Sequence, residues 1–88
     1  MTTLSHRQRR KQFLEDCVLQ KSVRGNLYTD TDSGIRITIF PDRHSPDRFQ
    51  FNLILLGEDV EPRWSGKRYP SVRKALSAAF DAVCELEE

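Results

Sequence analysis

Cysteine is scarce in this chain. Its 88 residues hold two, Cys17 and Cys84. Neither belongs to a C-x-x-C pair, so no structural zinc pattern is present. A bridge between them is disfavoured in a reducing compartment, and two buried thiols acting as small hydrophobes are the expectation. Long apolar runs are also missing. The longest is Leu53-Ile54-Leu55-Leu56, against the roughly 20 residues that cross a bilayer. Residues 1–7, Met-Thr-Thr-Leu-Ser-His-Arg, lack the apolar stretch of a signal peptide. These absences predict a protein without membrane contact, resident in the cytoplasm or in a host cell's cytoplasm. Charge of one sign is not in excess, with 14 Lys+Arg against 13 Asp+Glu and a net charge of +1. With 38% apolar residues, the composition is that of a small globular domain. A chain this short buries only about 60–65% of the surface its unfolded form exposes. That leaves one core and no room for a large cofactor fold. One domain over residues 1–88 is expected, with a partly mobile basic helix start over 1–12 and an acidic tail over 85–88.

Catalytic constellations are absent as well. His44 lies in a polar loop with Asp42, Arg43, Ser45 and Asp47. A Ser/His/Asp trio within one short loop cannot form a triad, whose members come from separate rigid elements. Ser65-Gly66-Lys67 lacks the upstream glycine of a phosphate loop. No nucleophile has a partnered base. The reading is non-enzymatic, with no cofactor and no metal.

Several elements are legible in what remains. Ser5-His6-Arg7-Gln8 matches the S-x-x-Q capping box and predicts a helix over residues 5–21. Its apolar stripe, Phe13, Leu14, Cys17 and Val18, occupies the second half only. Residues 27–29 read as a short strand, and Asp30-Thr31-Asp32-Ser33-Gly34 as a turn. Ile35, Ile37 and Ile39 alternate on one face of a half-buried strand. Phe49, Phe51, Leu53 and Leu55 do the same further on, while Ile54 and Leu56 make the far end of the outer face apolar. Residues 60–69 admit a short edge strand through Arg63-Trp64, since Pro62 demotes a central one. Ser71 is a good N-cap. Val72, Ala75, Leu76, Ala79, Phe80 and Val83 after it form a helical core stripe. The expected fold is α+β: a helix, a three- or four-stranded antiparallel meander and a helix, with both helices on one sheet face and the other face left open.

The near-neutral net charge conceals segregation. Residues 61–74 carry five basic groups and one acid, while residues 75–88 carry four acids and no base. Both helices open on basic residues and the second ends on acids. This inverts the macrodipole preference of roughly 0.3–1 kcal/mol per charge. Local rules broken without a visible gain mark candidate functional surfaces. A basic helix start also attracts anions.

The element order α-β-β-β-α resembles that of the double-stranded RNA-binding domain. Residues 49–57 match the spacing of that family's last strand and its closing turn. Ser71-Val72-Arg73-Lys74-Ala75-Leu76-Ser77-Ala78-Ala79 is similar to its final-helix start, with Arg73 at one lysine position and Val72 replacing the other. Lys67 and Arg68 fall where the family places further basic residues. The resemblance covers roughly the C-terminal half and implies a duplex-binding fold. The family's Gly-Pro-x-His loop is absent, and the matching turn carries Asp30 and Asp32, which repel phosphate.

Two functions follow. The first is a protein-binding module that occupies a partner's surface, like small accessory proteins and inhibitors of phages and mobile elements, anti-CRISPR proteins among them. Its expected surface is Arg63, Trp64, Lys67, Arg68, Tyr69, Arg73 and Lys74, joined by the open sheet face, because aromatics interleaved with arginine are enriched at interface hot spots. The second is a nucleic-acid binder for double-stranded RNA or DNA using Arg7, Arg9, Arg10 and Lys11 with Lys67, Arg68, Arg73 and Lys74. Near-neutral charge and the acidic turn favour the protein partner. Exposed Ile54 and Leu56 would make a homodimer through the open face conceivable.

Overall fold

The computed structural model describes residues 4–87. Of the anticipated mobile start and acidic tail, residues 1–3 and 88 lie outside the described residues. The chain runs α1 (His6–Asp16), β1 (Gln20–Lys21), β2 (Leu27–Asp30), β3 (Ile35–Pro41), β4 (Phe49–Leu55), β5 (Arg63–Trp64) and α2 (Val72–Glu87). The strands form one antiparallel sheet in the order β1-β2-β3-β4-β5. The α+β class stands, but the sheet has five strands where the sequence suggested three or four. The unanticipated strand is β1, and β5 is the edge strand that Arg63-Trp64 admitted; each has two residues. β1 is too polar and too short to alternate, and β5 follows directly on Pro62, the position where a proline costs the ladder no donor.

α1 starts where the capping box places it. Ser5 Oγ accepts from the Gln8 N–H at 3.2 Å, and Gln8 Oε1 accepts from the Ser5 N–H at 2.9 Å. The helix stops at Asp16, shorter than expected, because the next residues serve the sheet. Leu19 packs against the core, and Gln20 and Lys21 pair with Tyr28 and Leu27. α2 is capped by Ser71, whose Oγ accepts from the Lys74 N–H at 3.1 Å.

The core is the alternating face of the two long strands against one stripe of α2. Ile35, Ile37, Ile39, Phe51 and Leu53 meet Ala75, Leu76, Ala79 and Val83. Ile37, Ala75 and Ala79 are wholly buried. The alanines let α2 lie close on β3 and β4. The expectation that both helices cover the sheet is corrected here. α1 packs on α2 instead of lying across the strands, since its first half is polar on every side. Its Phe13 ring sits 5.0 Å from Phe80. Phe80 is thus the part of the α2 stripe that turns from the sheet toward α1.

Candidate functional site

Side chains alternate across a strand, so the register sorts the sheet into two faces. Ile37 opposite Leu53 and Ile39 opposite Phe51 face α2. The intervening positions face the other way. One row of them crosses every strand: Gln20 beside Tyr28, Tyr28 beside Thr38, Thr38 beside Asn52, and Asn52 beside Trp64. Asp30, Arg36 and Ile54 form the next row on one side, Phe40 and Gln50 on the other. Neither helix packs on this face.

The open face is built of aromatics and neutral polar groups. Trp64 is 54% exposed, and its ring stacks at a tilt on Phe40, centroids 5.1 Å apart. The Arg36 guanidinium lies 4.6 Å from the centre of the Tyr28 ring, within cation–π range. It also forms a fork on Asp30, with Nε to Oδ1 at 2.6 Å and Nη2 to Oδ2 at 3.0 Å. The hydrogen bond from Arg36 holds the Asp30 carboxyl below its ordinary range, and the same bond raises Arg36. The face therefore presents the Asp30–Arg36 ion pair already neutralised. Asn52, at the centre, is 4% exposed, and its Oδ1 is buried with no hydrogen-bond partner. An orphaned acceptor of this kind costs about 1–3 kcal/mol.

The residues singled out in the sequence are divided by the fold. Trp64 belongs to the open face. Its strand neighbour Arg63, opposite Leu53, points to the helix side. There Arg63, Lys67 and Tyr69 line a groove of about 500 Å³ whose other wall is Ala78, Asp81, Ala82 and Glu85 of α2. Tyr69 is also structural: it exchanges backbone hydrogen bonds with Phe49 at 2.7 and 2.8 Å, and its ring stacks 5.9 Å from Phe51. Arg68 is occupied by Asp42, with Nε to Oδ1 at 2.7 Å. That bond holds the Asp42 carboxyl below its ordinary range. Arg73 and Lys74 are exposed on the first turn of α2.

The basic residues of α1 do not join them. His6 Nε2 donates to Asp81 Oδ1 at 2.6 Å, and Arg10 Nη1 reaches both Asp81 oxygens at 3.2 and 3.1 Å. The start of α1 is thus fastened midway along α2, which gives its inverted charge a structural purpose. Arg7, Arg9 and Lys11 stay exposed on α1. Arg9 borders a groove of about 870 Å³ that contains both half-buried cysteines, Cys17 and Cys84.

Asn52 and Phe40 are the site residues that sequence reasoning passed over or left unplaced. In the sequence, Phe40 is an aromatic on the outward phase of the Ile35-Ile37-Ile39 alternation, a signal of exposure but not of what it meets. By the alternation of β4, Asn52 is an outer-face amide, and its burial comes only from its ladder neighbours on β3 and β5. His44 is exposed. Among the described residues, no group of three His, Cys, Asp or Glu side chains could hold a metal ion. No helix among them is long and apolar enough to cross a membrane.

Compared with protein-family models, curated proteins and solved structures, the chain matches none.

Proposed function

We propose that this chain is a non-catalytic protein-binding module that acts by occupying a partner's surface through the open face of its sheet, in the manner of small phage or mobile-element inhibitors. The observation that carries the reading is the exposed Trp64 ring stacked on half-buried Phe40, on a sheet face that no helix packs on. Interface centres are enriched in aromatic residues and arginine and depleted in unpaired charge. This face has that composition, with Tyr28 under Arg36 and Arg36 neutralised by Asp30. The occupant it fits is a protein surface with apolar anchors set against Trp64.

A homodimer through this face is less well supported. Of the two residues that would support it, Ile54 is half-buried on that face, and Leu56, though exposed, lies beyond the end of β4. Duplex RNA reading in the manner of the RNA-binding domain is also less well supported. The turn that would enter the minor groove carries Asp32, while Asp30 closes β2 and is paired with Arg36. That turn lies at the opposite end of the sheet from Arg73 and Lys74, because β5 carries the chain back before α2 begins.

Affinity capture from extracts at 0.5 M salt tests the proposal, comparing the wild type with Trp64→Ala/Phe40→Ala. A protein held by the wild type and lost by the double variant is the expected result. Retention by both would place the interface elsewhere.

A further inference from the structure

We infer that the end of the sheet bearing the β3–β4 loop is a second binding surface, a phosphate-backbone site for nucleic acid. In an antiparallel meander, successive connections leave from alternate ends. The turn 22–26, the loop 42–48 and the segment from β5 to α2 leave from one end. Tyr69 fixes the start of α2 there through its backbone bonds to Phe49. The turn 31–34 and the loop 56–62 leave from the other end, joined by the Leu56 N–H donating to Gly34 O at 2.9 Å. The last turns of α2 reach that second end, where Glu87 lines one groove with Asp32 and Ser33.

The topology therefore sorts charge that the sequence only segments. Arg24, Arg43 and Arg48 come to the first end from turn and loop, and Lys67, Arg68, Arg73 and Lys74 from the approach to α2. All seven are exposed. The acids among them are Asp42, already held by Arg68, and Asp47, while Lys67 also shares the groove beside α2 with Asp81, itself held by Arg10, and Glu85. The second end gathers Asp32, Glu58, Asp59 and Glu61, with Glu85 and Glu87 from α2. β3 separates the ends by its seven residues, roughly 20 Å at about 3.4 Å per residue. The screening length at physiological salt is about 8 Å, so the acidic end does not neutralise the basic one. A net charge of +1 is not what a phosphate backbone meets at this surface.

The composition of this end favours a nucleic acid over an acidic protein. It offers long exposed cations from three separate segments and no exposed aromatic anchor. Protein interfaces need desolvated anchors at their centre, whereas phosphates are met by such cations alone. Binding there is sequence-independent and leaves the open face free, so its success or failure is separate from that of the protein-partner reading.

The test is fluorescence anisotropy with two unrelated labelled DNA duplexes at 50 and 200 mM salt. Equal affinities are expected, falling roughly 500-fold over that range for about five phosphate contacts, at a slope of about −0.9 per contact. Arg24→Ala/Arg43→Ala/Lys67→Ala/Lys74→Ala should weaken binding at 50 mM salt by about 100-fold or more. The lighter Arg43→Ala/Lys74→Ala should lower the salt slope by about 2, and Asp32→Asn/Glu58→Gln should change nothing. Circular dichroism confirms that each variant is folded. Trp64 is the single tryptophan, and its emission should not respond. Quenching of Trp64 would move the nucleic acid to the open face and overturn the inference. So would binding that ignores salt or the four-site variant, no binding at 50 mM, or labelled poly-glutamate binding more tightly than the duplex.

Discussion

Asn52 shows how a single side chain can conflict with the fold that holds it. Its neighbours across the ladder are Thr38 and Trp64, and between them Oδ1 is buried without a donor. Replacing both the group and its need removes the cost. Asn52→Leu should therefore stabilise the domain by about 1 kcal/mol, raising Tm by roughly 4–8 °C in a thermal melt. A lowered Tm would mean that the amide is satisfied. Asp42 carries a second residue-scale prediction. Its hydrogen bond from Arg68 depresses the folded-state carboxyl below the ordinary 3.8. The stability this linkage adds is present above the unfolded value and is lost as pH falls through the folded one. In Arg68→Ala, the Asp42 titration followed by NMR should move up toward 3.8, and the stability difference between the two proteins should fade below about pH 4. Trp64 was legible as a site residue from its type and setting. Asn52 was not, because its burial is made by β3 and β5, which reach it only through the folded sheet.

At the scale of elements, amphipathic periodicity carried most of the information. α2 follows its sequence stripe: Ala75, Leu76, Ala79 and Val83 are the buried residues. Leu76→Ala should cost about 2–5 kcal/mol in chemical denaturation, and an unchanged midpoint would contradict the helix phase. α1 has no fully buried residue and depends on its cap, on Asp81 and on half-buried Phe13 and Leu14 packed against the core. Ser5→Ala should cost about 1 kcal/mol, seen as lost amide protection confined to α1. The alternation of β3 and β4 was equally plain. The end of α1 and the strand after it were not, because nothing in residues 17–21 breaks a helix by propensity. Leu19 joining the core and the pairing of β1 with β2 decide that boundary.

At the scale of the whole molecule, charge was legible in segments but not in space. The excess of base in residues 61–74 and of acid in residues 75–88 becomes two opposed ends only because β5 reverses the chain before α2. The seven residues expected to form one patch are instead shared among the open face, a groove beside α2 and the basic end. Arg73→Glu/Lys74→Glu should leave the melt within about 0.5 kcal/mol, since both side chains are exposed, while weakening duplex binding. The central claim is that a protein partner sits on the open sheet face. Photo-crosslinking tests it most directly, with benzoylphenylalanine placed at Gln50 on that face or at Lys11 on α1. A discrete crosslinked partner from position 50, absent from position 11 and lost with Trp64→Ala, is the predicted result. The same partner captured from position 11 and not from position 50 would contradict it.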